Sequence, residues 1–210
     1  MSLLSAFAPV TYLLIAAAYL LGSLSGRRLL ARRPAPVEPD DGQPADPERR
    51  GPMLARIAFD IGKVALATWM ALRLAPVGDP LSVTAHGYLA AFVAVLGHVW
   101  PVWHRFRGGG PATALVGALA VLWPAGLAAW LIAGLLAWLL SGYAGLSILL
   151  GAVCLPLLAW WGGADPPRLW FAMGAVVLLA LAHREHLRRL WAGTEPQFAR
   201  ARRLYRWRRG

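Results

Sequence analysis

Residues 108–164 run for 57 positions without one Asp, Glu, Lys or Arg. A solvated loop of that length would carry charge, and a single membrane span uses only about 20 apolar residues. The stretch must therefore hold several helices, since lipid offers a bare backbone no hydrogen-bond partner. Breaks fall at Trp123-Pro124 and at Ser141-Gly142-Tyr143, which leaves three pieces near 112–123, 125–140 and 144–161. The first piece is short for a crossing. A composition of 58% hydrophobic residues with 11 Trp in 210 positions agrees with a bilayer rather than a water-facing core. The fold class expected is an all-α integral membrane protein.

Further apolar runs at about 6–26, 57–74, 83–103 and 167–182 bring the expected total to about seven transmembrane helices. The first run lacks a basic leading segment and is longer than the apolar part of a signal peptide, so it reads as a retained span. Charge orients the set. Of the 21 Lys and Arg, seven lie in 27–56 and nine in 184–209, and basic loops stay on the cytoplasmic side. Six helices between those two segments satisfy that, with the N-terminus outside and the C-terminus cytoplasmic. The chain then reads as a single membrane domain over 1–210, with a flexible cytoplasmic loop at about 27–56 and a basic cytoplasmic tail at about 184–210. The loop, RPAPVEPDDGQPADPERRGP, is rich in proline and in both signs of charge and has no apolar period. The net charge of +11 serves orientation and attraction to a lipid bilayer with anionic headgroups; no nucleic-acid motif accompanies it. Cys154 is the one cysteine and excludes an internal disulfide.

The chemistry concentrates in LGHVWPVWHRFRGGGPATAL, residues 96–115. Three consecutive glycines followed by Pro111 and a new apolar run form a loop entering a helix, where backbone N–H groups of Gly108, Gly109 and Gly110 can converge on phosphate oxygens. Arg105 and Arg107 supply charge, and Thr113 a hydroxyl. A tight basic turn between two spans is the plainer alternative. Upstream, Asp60 and Lys63 are three residues apart on one helical face and can pair. Lys63 is also the only Lys beside 20 Arg, which favours a position where a compact ammonium is required. His98 stands one turn from a helix end, where it can cap a carbonyl or bond a phosphate. His183 and His186 share the spacing of a metal pair, but no third ligand accompanies them.

GHVWPVWHRFRGG resembles the GHxFPVFxKFRGG segment of the bacterial acylphosphate:glycerol-3-phosphate acyltransferases. HREHLRRLWAGTEP resembles that family's HRxNIxRLxxGTEP at His183, Arg184, Arg188 or Arg189, Leu190, Gly193, Thr194, Glu195 and Pro196. AYLLGSLSG is similar to its YLLGSIPFG, and FDIGK to its DxxKG at Asp60 and Lys63. The four segments occur in family order from Tyr19 to Pro196. The resemblance implies a multi-pass enzyme of the bacterial plasma membrane whose active face is cytoplasmic. It implies transfer of a fatty acyl group from acylphosphate to glycerol-3-phosphate, giving lysophosphatidate for phospholipid biosynthesis, with no cofactor, no metal and no covalent enzyme intermediate. Carried onto this chain, the catalytic residues expected are Lys63, His98, Arg107 and Arg184, and the phosphate-binding ones Gly108, Gly109, Gly110, Thr113, His183 and Glu195. The chain departs from the pattern in three places. Nothing between Arg27 and Arg56 matches the family's SGNxGxTN, the lysine of FRGGKGxAT is lost in FRGGGPAT, and His186 stands for the asparagine of HRxN. A paralogue of the same fold with lost or altered catalysis, binding a lipid precursor or acting as a membrane scaffold, is therefore the alternative. A transporter would need a polar path or an internal repeat, and neither is visible.

Overall fold

The structure, a computed structural model, describes residues 9–26, 47–76, 79–106, 108–163 and 165–193. Among them the regular secondary structure is helical: α1 (Pro9–Ser23), α2 (Pro47–Leu74), α3 (Val83–Val99), a 3-10 turn (Val102–His104), α4 (Pro111–Leu122), α5 (Pro124–Ser141), α6 (Ala144–Trp161), α7 (Pro166–Ala182) and α8 (Arg184–Trp191). Both breaks expected inside the uncharged stretch are present. Gly142 ends α5 in the left-handed conformation, and Pro124 opens α5 directly after Trp123 caps α4. Proline at a first helical position sacrifices only an N–H that has no partner there. Residues 27–46 and 194–210 lie outside the described residues, and with them part of the expected loop and most of the expected tail.

Three boundaries differ from the sequence expectation. α2 begins at Pro47, inside the segment read as flexible loop, because Pro47 pre-sets the helical φ for its first turn. α3 stops at Val99, where Trp100 leaves helical geometry ahead of Pro101, so 100–103 belong to the following loop. The basic segment after residue 183 starts with a helix of its own, α8, bent by 62° from α7. Its eight residues carry a strong polar-apolar division, with Arg184, Arg188 and Arg189 exposed.

α5 and α6, at 18 residues each, are long and apolar enough to cross a bilayer, while α1, α3 and α4 are apolar but shorter. α5 presents Leu131, Ile132, Leu135, Leu136, Leu139 and Leu140 outward, a surface suited only to lipid. The 12 residues of α4 reach about 18 Å, too little for the hydrocarbon core. Protein surrounds it instead. Ala114, Leu115, Ala118 and Leu119 are fully buried against α2, α3, α5 and α7, so its short ends meet neighbours rather than lipid.

Small residues set the helix spacing, as expected where lipid removes the hydrophobic drive between helices. A Cβ on Gly22 of α1 would collide with the Ala94 carbonyl of α3, and one on Gly97 with the Tyr19 carbonyl. The two backbones therefore cross in contact. Tyr19 Oη donates to the Trp100 carbonyl at 2.7 Å, and Ser23 Oγ to the Tyr19 carbonyl at 2.8 Å. Three residues of the AYLLGS segment thus serve to dock α1 on α3. α7 lies along α3 through Phe171 with Tyr88 and Phe92, and Arg168 donates to Tyr88 Oη at 3.0 Å. Successive helices reverse direction, so the ends of α1, α3, α5 and α7 and the starts of α4, α6 and α8 share one end of the bundle.

The opposite end holds a second set of buried polar groups that sequence reasoning missed. Thr11 Oγ1 donates to Asp79 Oδ2 at 2.6 Å and lies 3.0 Å from His86 Nε2. His86 Nδ1–H donates to the Ser82 carbonyl at 3.0 Å, and Asp79 Oδ1 accepts from Leu81 N at 3.0 Å. The Asp79 side chain is 0% exposed.

Candidate active site

The site grows out of the end of α3. After Pro101 the 3-10 turn leads to Arg105 and Phe106, both left-handed, with φ of 52° and 59°. Such a conformation costs a non-glycine residue about 1–3 kcal/mol. It reverses the chain. Phe106 N then donates to the Pro101 carbonyl at 3.0 Å, Gly108 N to the Val99 carbonyl at 3.2 Å and Gly109 N to the His98 carbonyl at 3.2 Å. These bonds satisfy carbonyls that the last turn of α3 leaves open. Glycine is required for the fit: a Cβ at Gly108 would strike the His98 carbonyl and lie 2.6 Å from the Val99 carbonyl.

The three-glycine cradle expected from the sequence is thereby divided. Gly108 and Gly109 spend their N–H groups on α3. Gly110 caps α4 with no side chain doing so, Pro111 has no N–H, and the first-turn amides of Ala112 and Thr113 face the loop end. Nothing lies within 4 Å of the position a Cβ on Gly110 would take, and Thr113 Oγ1 donates to the Gly110 carbonyl at 3.5 Å. A helix start of this kind favours an anion.

Beneath the loop lie Asp60, Lys63 and His98. Lys63 Nζ is 3.0 Å from Asp60 Oδ1 and 2.9 Å from His98 Nδ1, and it also donates to the Leu24 carbonyl just past the end of α1. Four elements meet on one ammonium: α2, α3, the exit of α1 and, through His98, the glycine loop. Lys63 and His98 are each 6% exposed, whereas the Asp60 side chain is 20% exposed. Among the described residues, no donor meets Asp60 Oδ1 with hydrogen-bond alignment, so the Asp60 contact is one of charge at short range. The other edge of the His98 ring faces the loop: a Cβ on Gly109 would lie 2.6 Å from Nε2.

The structure thus brings Lys63, His98, Gly108, Gly109, Gly110 and Thr113 together. Arg107 and Glu195 lie outside the described residues. His183 and Arg184 sit at the same end of the bundle but at the junction of α7 and α8, which packs against α6 and α7. His183 Nδ1–H donates to the Leu179 carbonyl at 2.9 Å, and Arg184 is exposed. The Leu24 carbonyl was invisible to sequence reasoning, since backbone acceptors carry no residue signature.

A helical bundle with lipid-suited outer faces, whose buried lysine and histidine back a glycine loop and an uncapped helix start, defines a class: integral membrane proteins with a polar cluster at one end of the bundle. Comparison narrows it. The family model for glycerol-3-phosphate acyltransferase matches residues 49–193. A glycerol-3-phosphate acyltransferase of Nitrobacter winogradskyi is 42% identical over 151 residues, covering 70% of this chain and 71% of that protein. One of Actinobacillus pleuropneumoniae serotype 5b is 34% identical over 203 residues, covering 90% and 97%. Two crystal structures of PlsY, an integral membrane glycerol 3-phosphate acyltransferase, share the fold. The lysophosphatidic acid form gives a TM-score of 0.71 at 22% identity over 90% of this chain and 95% of that one. The glycerol 3-phosphate form gives 0.73 at 20% identity over 93% and 99%. The chain belongs to the glycerol-3-phosphate acyltransferase family, and it is an integral membrane acyltransferase of bacterial type.

Proposed function

We propose that this protein transfers a fatty acyl group from acylphosphate to the 1-hydroxyl of glycerol-3-phosphate, releasing lysophosphatidate and inorganic phosphate at the cytoplasmic face of the plasma membrane. The observation that carries the reading is the uncapped α4 start and glycine loop set directly over the Lys63–His98 pair. An acylphosphate is already activated, so the chemistry needs positioning and charge more than a nucleophilic side chain. The glycerol hydroxyl attacks the acyl carbonyl carbon, the bond to the phosphate oxygen breaks, and the hydroxyl proton leaves with the phosphate. Gly110, Ala112 and Thr113 offer donors to the departing phosphate. Lys63 places a positive charge behind His98, and Arg107, with Arg184 and His183 from the same end, holds the second phosphate.

Seven crossings with the N-terminus outside fit both the placement of basic residues and the alternating helix directions. α1, α2 and α3 then present the Lys63 cluster to the cytoplasm, where glycerol-3-phosphate is soluble, while α5 and α6 adjoin lipid.

Purified protein in lipid nanodiscs, given acylphosphate and glycerol-3-phosphate, should release lysophosphatidate and phosphate in equal amounts, with acyl-coenzyme A a poor donor. The missing SGNxGxTN segment and loop lysine favour a second reading, a lipid-precursor binder of the same fold. Glycerol-3-phosphate binding without product from either donor would establish that one.

A further inference from the structure

We propose that Lys63 is a positioning residue that fixes His98 in its Nε2–H form, so that the imidazole meets the glycine loop as a hydrogen-bond donor and not as a proton acceptor. The ammonium of Lys63 has only donors to offer, and it lies 2.9 Å from His98 Nδ1. Nδ1 must therefore present its lone pair, and the ring hydrogen resides on Nε2. Which nitrogen of a histidine carries the proton is set by the bond the other one makes. The competing form would need Asp60 to accept from Nδ1, but Asp60 Oδ1 is 3.7 Å away and lies closer to the ammonium, at 3.0 Å. Another N–H of Lys63 is held by the Leu24 carbonyl. Each residue is 6% exposed, so Lys63 and His98 Nδ1 meet largely out of water.

Two consequences follow for the acyl-transfer reading, on which this part of the inference rests. The Nε2–H edge faces Gly109, so it braces the loop one residue before the Gly110 cap of α4 and aims the uncapped first turn. Nε2 already carries the ring hydrogen, so it has no lone pair for the hydroxyl proton of glycerol-3-phosphate, and an imidazolium would require protonation at Nδ1, the nitrogen turned to the ammonium. Like charges so close disfavour that state. The proton therefore goes to the leaving phosphate.

The test is nitrogen NMR on the full-length chain in lipid nanodiscs, labelled with 15N-histidine and 15N-lysine. Lys63 is the only lysine, so its signal needs no assignment. Loss of one of the five histidine patterns in His98→Gln identifies His98. Two-bond couplings to the ring C–H protons separate Nδ1 from Nε2. The expected spectrum has an unprotonated Nδ1, a protonated Nε2 and a through-space contact between the ammonium protons and the His98 ring. In Lys63→Met the Nδ1 signal should shift, and turnover should fall about tenfold or more with the KM for glycerol-3-phosphate changed less than about threefold. A protonated Nδ1 in the unmodified protein overturns the proposal, as does an unshifted Nδ1 in folded Lys63→Met. Should that variant fail to fold, absence of the ammonium-to-ring contact in the unmodified protein overturns it equally. The spectrum requires no turnover, so an inactive protein with the expected spectrum counts against acyl transfer alone, and an active one with a protonated Nδ1 against the histidine assignment alone.

Discussion

Asp60 and Lys63 of α2 with His98 of α3 at one end of the bundle, and Thr11 of α1, Asp79 of the α2–α3 loop and His86 of α3 at the other, are assembled from similar parts. Each sets a carboxylate and an imidazole around a third polar group, and each is nearly closed to solvent. They differ in what covers them. Asp79 is 0% exposed, and its oxygens accept from Thr11 and the Leu81 amide, so that end is a fully bonded pin holding α1 to the start of α3. At the Lys63 end the cover is a glycine loop with exposed backbone, an uncapped helix start and a carboxylate oxygen without an aligned donor. A buried charge is expensive in lipid whether it serves structure or chemistry. Burial thus does not distinguish the two roles, whereas access does.

The largest expected effect breaks the comparison at its open end. His98→Gln should lower turnover about 100-fold to 1000-fold, equivalent to about 2.7–4 kcal/mol, with little change in thermal melting. His86→Gln should do the reverse, lowering the melting temperature while activity per folded molecule stays within about threefold. Parallel behaviour of the two variants would erase the distinction.

Next comes Asp79→Ala, which strips a buried network of its acceptor and should cost about 3 kcal/mol of stability, read by denaturation in nanodiscs, with normal KM values in the surviving fold. Gly109→Ala should lower turnover about tenfold to 100-fold, because its Cβ would fall 2.6 Å from His98 Nε2 and push the ring from its place. Gly62→Ala is the matched control: it adjoins Lys63 in sequence but nothing lies within 4 Å of its Cβ position, so turnover should not change. The smallest effect belongs to Arg184→Ala. An exposed contact to phosphate should raise the KM for glycerol-3-phosphate about threefold to tenfold with kcat retained, and an unchanged KM would remove α8 from the site.

Much of the fold is legible in the sequence because its signals are local. A 57-residue uncharged run forces helices into lipid, Pro124 and Gly142 mark where they break, and GHVWPVWHRFRGG is contiguous enough to carry a family by itself. The site was legible only as a roster. Lys63, His98 and the glycines could be named, but a sequence holds no information on which way an amide points. Two of the three glycine N–H groups turned back to cap α3 rather than outward to a ligand.

What the sequence determined, then, is the class of the molecule, the position of nearly every helix and the family, since hydropathy, proline and glycine act over one or two turns of chain. The pairing of Asp60 with Lys63 was legible from their spacing, but the tertiary structure alone decided the long-range engagements of the polar groups. Lys63 meets His98 across 35 residues and Leu24 across 39, while Thr11 reaches Asp79 across 68 and His86 across 75. The reason is physical: in a lipid-embedded bundle a polar side chain that its own helix does not satisfy must find its partner on another element, and helix crossings fixed by Gly22 against Ala94 and Gly97 against Tyr19 determine which partners come within reach.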